Sequence, residues 1–132
     1  MRTRYALVGV GSRGFGMFAR PLVRDFADVA ELAALCDVNA RRMALANQRL
    51  GANIPTYTDF DAMLRAARPE VVIVCTVDGT HHHFILRALE AGCDVITEKP
   101  MTTTAEHARA ILEAERRTGR AVRVSFNARY GA

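Results

Sequence analysis

The stretch YALVGVGSRG, residues 5–14, decides the fold expected for this chain. Its apolar part, Tyr5–Val10, runs into glycines and is typical of a buried strand followed by a sharp turn. Gly9, Gly11 and Gly14 have the spacing G-x-G-x-x-G. Placed between a strand and a helix, this spacing is the fingerprint of a dinucleotide-binding turn. We therefore expect a nucleotide site at the start of the chain.

The three glycines have different predicted tasks. Gly9 permits the tight turn, Gly11 lets the backbone approach a pyrophosphate, and Gly14 lets the helix pack closely on the strand. Backbone N–H groups at the helix N-terminus, where Ser12 and Arg13 lie, then face the anion. The alternative is a glycine-rich turn that holds no ligand.

The rest of the chain alternates short apolar runs with segments of helical periodicity. Further strands are predicted at Leu32–Cys36, Val71–Val77, Asp94–Thr97 and Val122–Phe126. The valine-rich run at 71–77 is typical of a strand buried on both faces of a parallel sheet. Strands alternating with helices predict a doubly wound parallel sheet of the α/β class.

Capping residues mark the predicted helices between these strands. The predicted N-terminal signals are Asn39, the pair Thr58 and Asp61, and the pair Thr103 and Glu106, with a further helix near 82–91. The first helix contains Pro21, so we expect it to kink or end near Arg20.

Asp37 ends the predicted second strand, 23 residues after Gly14. An acidic residue about 20 residues beyond the glycines binds the ribose hydroxyls in dinucleotide-binding domains, and it repels the 2′-phosphate of NADP. This favours NAD. Arg41 and Arg42 follow closely and could instead accept that phosphate, so NADP stays possible. The plainer alternatives are a helix cap for Asp37 and a solvated helix surface for the arginines.

Composition bounds the class of protein. The 132 residues fit one domain, half of them are hydrophobic, and the formal net charge is +4. No apolar run approaches the roughly 20 residues that span a bilayer, and no basic run interleaves with aromatics as in nucleic-acid binding. The three cysteines are widely spaced in apolar segments, which predicts buried free thiols and a reducing, cytoplasmic location.

Lysine occurs once among the 18 basic residues, at Lys99 in the stretch VITEKP. A lysine at the carboxyl end of a parallel strand points into the crevice where open α/β sheets bind ligands. Burial can bring a lysine pKa closer to neutrality, whereas arginine stays charged. We therefore expect a functional reason for lysine at this position; the alternative is a surface lysine left by chance.

The stretches GVGSRG, CDVN, VVIVCTVDGTHHHFILRALEAG, VITEKP and FNARY follow one another along the chain. In this order the sequence resembles the N-terminal half of the Gfo/Idh/MocA oxidoreductases. The resemblance implies a catalytic Lys99 where the nicotinamide meets the substrate. It also implies that Glu98 lies near the cofactor, although Glu98 could equally be a structural partner of Lys99.

The stretch TVDGTHHH departs from the family pattern Thr-Pro-Asn-x-x-His. Thr76 and His81 match, whereas Val77 and Asp78 replace the proline and asparagine. The resemblance implies that Thr76, Asp78 and His81 lie beside the nicotinamide end of the cofactor, and that Asn127 lies near the cofactor after the last strand. Successive helical residues point about 100° apart, so three adjacent histidines are not expected to bind one metal.

The resemblance implies that the whole chain, 1–132, is an NAD(P)-binding domain and that the family's C-terminal α/β substrate domain is absent from it. It implies a small-molecule substrate, a sugar, cyclitol or related metabolite, and a homo-oligomeric complete enzyme. No nucleic-acid or membrane partner is expected. The alternatives are a non-catalytic sensor or regulatory module and a different nucleotide-binding enzyme such as a methyltransferase, against which the Glu-Lys-Pro stretch argues.

Overall fold

The computed structural model describes residues 2–76, 80–98 and 104–125. The strands are β1 (Thr3–Val8), β2 (Ala30–Cys36), β3 (Thr56–Tyr57), β4 (Val71–Val74), β5 (Asp94–Glu98) and β6 (Val122–Ser125). The helices are α1 (Ser12–Gly14), a π-helical turn (Phe15–Ala19), α2 (Arg20–Arg24), α3 (Ala40–Leu50), α4 (Phe60–Ala67), α5 (His81–Glu90) and α6 (Ala105–Thr118).

The six strands form one sheet in the order β3-β2-β1-β4-β5-β6, and every neighbouring pair is parallel. The strand order therefore reverses between β1 and β4. This is the order of the dinucleotide-binding doubly wound fold, in which ligands bind at the carboxyl ends of the strands beside the reversal. The predicted fold class is confirmed.

Alternate residues of β1 supply the two faces of the sheet. Ala6 and Val8 join a core under α4, α5 and α6, with Met63, Ile85 and Ile111 fully buried. Leu7 points the opposite way, into a second core that includes Phe15, Leu35 and Met43. Apolar residues on both faces let helices cover both sides, which leaves the strand ends as the open edge of the sheet.

The structure moves several predicted boundaries. β1 ends at Val8 rather than Val10, because Gly9 has φ +92° and leaves the extended conformation. The two-residue strand β3 was not predicted, since it is too short to show a period. β4 ends at Val74, so the prediction that it includes Cys75 and Thr76 is wrong. Val77 and the expected extension of β6 to Phe126 lie outside the described residues.

The helix caps confirm one prediction and correct another. Asn39 accepts a hydrogen bond from the N–H of Arg41, as expected of an N-cap. For α4 the cap is Asp59, whose side chain accepts from the N–H groups of Asp61 and Ala62, so the predicted capping role of Thr58 is wrong. The carboxylate one residue closer to the helix has the reach to bond both N–H groups.

At α6 the side chain of Thr104 accepts from the N–H of His107, so the cap lies one residue beyond the predicted Thr103. Thr103 itself lies outside the described residues.

The expected break at Pro21 takes another form. The helical segment continues past Arg20 to Arg24, and the irregularity is the π-helical turn Phe15–Ala19 immediately before it. Pro21 stands in the first turn of α2, where proline is tolerated. The change from α to π hydrogen bonding thus accommodates a residue that has no N–H to donate.

Candidate functional site

The turn after β1 is held between the two neighbouring strands. The N–H of Gly9 donates to the carbonyl of Cys36 at 2.9 Å, and the N–H of Cys75 donates to the carbonyl of Val8 at 2.8 Å. A Cβ on Gly9 would lie 2.5 Å from the carbonyl oxygen of Cys75. Both this contact and the positive φ of Gly9 require glycine at this position, as we predicted for the tight turn.

The other two glycines of the motif differ in what surrounds them. A Cβ on Gly14 would lie 2.3 Å from the carbonyl oxygen of Gly9, so close helix-to-turn packing depends on its absence. A Cβ on Gly11 would meet no protein atom within 4 Å. The open space beside Gly11 agrees with the predicted approach of a pyrophosphate, which stays a prediction, as do the contacts assigned to Ser12 and Arg13.

Asp37 is buried and both of its carboxylate oxygens are engaged. Oδ2 accepts from the N–H of Val10 at 2.8 Å, and Oδ1 accepts from the N–H of Asn39 at 2.9 Å. The guanidinium of Arg42 lies 3.9 Å from Oδ2. Asp37 therefore holds the glycine turn against the end of β2. Its predicted contact with ribose hydroxyls would use the remaining lone pairs.

We expect Asp37→Asn to weaken the fold as well as the nucleotide site. An amide has one acceptor oxygen, so either the buried N–H of Val10 or the partly buried N–H of Asn39 loses its acceptor, and the free energy of unfolding should fall by about 1–3 kcal/mol. Urea unfolding measures this. Asp28→Asn, at an exposed aspartate, is the matched control and should change stability by less than about 0.5 kcal/mol. Equal stability of both variants would contradict the holding role of Asp37.

A cleft of about 340 Å³ opens at the carboxyl ends of β1, β2 and β4. Its lining includes Gly9, Gly11, Asp37, Thr76 and Arg42. Both candidate arginines are exposed at the start of α3, but Arg42 lines the cleft and Arg41 does not. The volume lies within the range of small-molecule and cofactor sites.

Sequence reasoning missed the apolar wall of this cleft. Phe60 and Phe84 meet edge to face there with ring centroids 5.0 Å apart, and Val38 is 91% exposed directly after Asp37. The exposed position of Val38 beside Asp37 could have been predicted, because both residues come directly after the end of the predicted second strand. The pairing of Phe60 with Phe84 does not, because each looks like an ordinary core position of its helix.

The prediction of buried free thiols is confirmed for Cys36 and Cys93, whereas Cys75 is only partly buried. Cys36, Cys75 and Cys93 are free, and burial raises the pKa of Cys75 to about 12 and the pKa values of Cys36 and Cys93 to about 11. Two of them, Cys36 and Cys75, line the cleft as neutral apolar groups.

His81 is the first residue of α5 and is almost completely buried. Its Nε2 lies 2.7 Å from the carbonyl oxygen of Thr76, and the hydroxyl of Thr80 donates to that of Thr76 at 2.8 Å. Both contacts tie the start of α5 to the end of β4. The predicted contacts of Thr76 and His81 with a cofactor stay predictions.

At the carboxyl end of β5, Glu98 pairs with Arg13 of α1, whose Nε lies 3.0 Å from Oε1 and 2.8 Å from Oε2. The structure thus brings two predicted cofactor-binding residues into contact at the carboxyl end of β5. The remaining predicted residues, Asp78, Lys99 and Asn127, lie outside the described residues.

In residues 2–76, 80–98 and 104–125, no three histidine, cysteine, aspartate or glutamate side chains come together as a metal site would require. None of the helices in these segments combines the length and the apolar character needed to cross a membrane.

The strand order and the glycine turn define a dinucleotide-binding α/β domain. Residues 3–126 match the GFO_IDH_MocA family, described as an oxidoreductase family with an NAD-binding Rossmann fold. The chain belongs to this family, and the described segments form its NAD-binding domain. The resemblance and the NAD cofactor predicted from the sequence are confirmed.

Individual relatives agree. The chain is 40% identical over 126 residues to the putative oxidoreductase YteT of Bacillus subtilis, covering 92% of this chain and 29% of YteT. It is 34% identical to an inositol 2-dehydrogenase of Paracoccus denitrificans, covering 98% of this chain and 38% of that enzyme. The chain thus spans about a third of the length of these relatives.

A solved structure also superposes closely. The WlbA dehydrogenase of Chromobacterium violaceum, in complex with NADH and UDP-GlcNAcA, matches with a TM-score of 0.87 and 30% identity. The match covers 98% of this chain and 36% of WlbA.

Proposed function

We propose that this chain supplies the cofactor-binding part of an NAD-dependent dehydrogenase acting on a sugar, cyclitol or related metabolite. The observation that carries the proposal is the open space at Gly11 beside a carboxylate, Asp37, that is tied to the same turn. Membership of an oxidoreductase family supports it. So do relatives that include a D-glucoside 3-dehydrogenase of Escherichia coli and the inositol 2-dehydrogenases.

The proposed binding arrangement follows the two ends of the cleft. Asp37 accepts the hydroxyls of the adenosine ribose, and the N–H groups of Ser12 and Arg13 at the start of α1 bind the pyrophosphate. Thr76, His81 and Asp78 follow β4, and Glu98 and Lys99 end β5, where the nicotinamide half is expected. Arg41 and Asn127 complete the proposed set.

A nicotinamide held at this end of the cleft would supply the hydride acceptor for oxidation of the carbon that carries the substrate hydroxyl. We assign Lys99 the proton of that hydroxyl: its Nζ takes or shares the proton while the carbon–hydrogen bond breaks. In the reverse direction the same group returns the proton to the oxygen. We propose that substrate contacts come from the portion of the relatives that this chain does not span.

The proposal includes a cytoplasmic location and homo-oligomerisation of the complete enzyme, without nucleic-acid or membrane partners. Three free thiols support a reducing compartment. Cell fractionation tests the location, and light scattering of the complete enzyme tests the assembly; a membrane-bound or monomeric enzyme would contradict the respective part.

Calorimetric titration of the chain with NADH and NADPH tests the cofactor proposal. We expect saturable binding of NADH and at least about tenfold weaker binding of NADPH, because the carboxylate of Asp37 repels a 2′-phosphate. Tighter binding of NADPH would instead indicate that Arg42, which lines the same cleft, accepts the 2′-phosphate and determines the cofactor preference. Absence of binding for both cofactors would refute the assignment of the site.

A further inference from the structure

One ion pair joins helix α1 to the carboxyl end of β5. Arg13 lies on α1 directly after the glycine turn, and Glu98 is the last residue of β5, 85 positions further along the chain. The Arg13 Nε is within 3.0 Å of both carboxylate oxygens. The carboxylate side chain is only 11% exposed, whereas that of Arg13 is 60% exposed.

The pair lies beside the end of the central strand β4. Cys75, the residue after β4, is close enough to both partners for them to act on its thiol. Burial raises the pKa of Cys75 most, Glu98 raises it further, and Arg13 opposes the increase. Cys75 lines the cleft, so the opposite charges of Glu98 and Arg13 both act on the part of the cleft wall that this thiol forms.

The position of the pair relative to a bound dinucleotide follows from the sheet order. A dinucleotide crosses the crevice at the strand reversal, here between β1 and β4. If Asp37 at the end of β2 binds the adenosine ribose, the nicotinamide half falls on the side of β4 and β5. Glu98, which ends β5, lies on that side.

We propose that Arg13 is a positioning residue that sets the balance between reduced and oxidised cofactor by compensating the charge of Glu98. NAD⁺ and NADH differ by one positive charge, located on the nicotinamide ring. A less compensated carboxylate near that ring attracts NAD⁺ and disfavours NADH; a carboxylate paired with arginine removes this bias. The inference rests on the proposed cofactor site and adds to it a residue that governs redox preference.

The size of the expected change in the ratio of NADH and NAD⁺ affinities follows from Coulomb's law. For an assumed separation of about 10 Å between a unit charge and the ring, and an effective dielectric constant between about 20 and 40, the affinity ratio of NADH to NAD⁺ changes by about four- to twentyfold. A residue that only held the turn in shape, or bound a phosphate, would change both affinities by the same factor. The ratio therefore separates the charge-setting role from these two.

The test is calorimetric titration of NAD⁺ and NADH into the chain and four variants at constant ionic strength. Arg13→Gln is expected to shift the ratio of affinities toward NAD⁺, and Glu98→Gln to shift it toward NADH, each by about four- to twentyfold. The double variant should return the ratio to within about threefold of the unmodified chain, because both charges are gone. Arg13→Lys, which retains the cation, should restore the ratio in part.

Arg24→Gln is the matched control, because it removes the same charge from α2, where Arg24 bonds the carbonyl of Arg49 away from this pair. An unchanged ratio in both single variants would overturn the inference while leaving the cofactor site intact. Equal weakening of both cofactors by Arg13→Gln would overturn it in favour of a phosphate ligand. If Arg13→Gln does not fold, the shift in the ratio of NADH and NAD⁺ affinities in Glu98→Gln tests the inference instead. Failure of the unmodified chain to bind either cofactor would refute the proposed function itself, and the inference with it.

Discussion

Gly11→Ala is expected to weaken NADH binding by about ten- to a hundredfold without lowering the stability of the chain. Gly11 has φ −77° and ψ −174°, extended backbone that alanine adopts readily. No protein atom lies within 4 Å of the added Cβ. A loss of binding can therefore come only from contact between this Cβ and the ligand, which the predicted pyrophosphate position requires.

The neighbouring glycines supply the contrast. Gly9→Ala is expected to lower the free energy of unfolding by at least about 2 kcal/mol, because its Cβ meets a backbone carbonyl at 2.5 Å and its φ is +92°. Gly16→Ala places its added Cβ where no atom lies within 4 Å. It should change the free energy of unfolding by no more than about 1 kcal/mol and leave the affinity for NADH unchanged. Thermal unfolding and calorimetry on the three variants measure both quantities.

An unchanged affinity for NADH in folded Gly11→Ala would show that the pyrophosphate does not approach this turn. Destabilisation of Gly11→Ala to the level of Gly9→Ala would instead mean that the space beside Gly11 is filled in the free protein.

Lys99→Met is expected to lower kcat of the complete enzyme by about 10²- to 10⁴-fold, the usual contribution of a positioned acid–base group. The affinity for NADH should change by less than about threefold, because the methionine side chain is close in length and removes only the ammonium. Steady-state kinetics and a separate titration of NADH measure the two effects independently. The prediction rests on the single lysine of the chain in the stretch VITEKP.

Lys99→Arg is the informative companion variant. Arginine retains the positive charge but stays protonated at any working pH. If Lys99 transfers a proton, Lys99→Arg loses nearly as much turnover as Lys99→Met; if only its charge matters, Lys99→Arg keeps most of it. Full turnover in Lys99→Met would remove Lys99 from the mechanism.

Much of the fold and the predicted glycine geometry follow from short segments. The turn at Gly9, the cap at Asn39 and the end of β2 just before Asp37 each depend on neighbours a few residues away, so their patterns are visible in the sequence. The cap at Asp59 escaped prediction because two adjacent residues, Thr58 and Asp59, both have capping side chains.

Contacts between elements that lie far apart in the sequence could not be predicted from such local patterns. The pairing of Arg13 with Glu98, the meeting of Phe60 with Phe84, and the selection of Arg42 over Arg41 depend on which strand ends and helices become neighbours. Arg13 and Glu98, for example, meet only because β4 and β5 follow β1 in the sheet.

The sequence by itself thus determined the class of fold, the glycine turn and the acidic residue after β2, because each rests on local backbone geometry and on the spacing of apolar residues. Only the tertiary structure decided that Asp37 holds the turn through Val10, and that Glu98 is compensated by Arg13. The reason is physical: a side chain's charge partners are set by its neighbours in space, and a parallel sheet brings together residues that lie far apart along the chain.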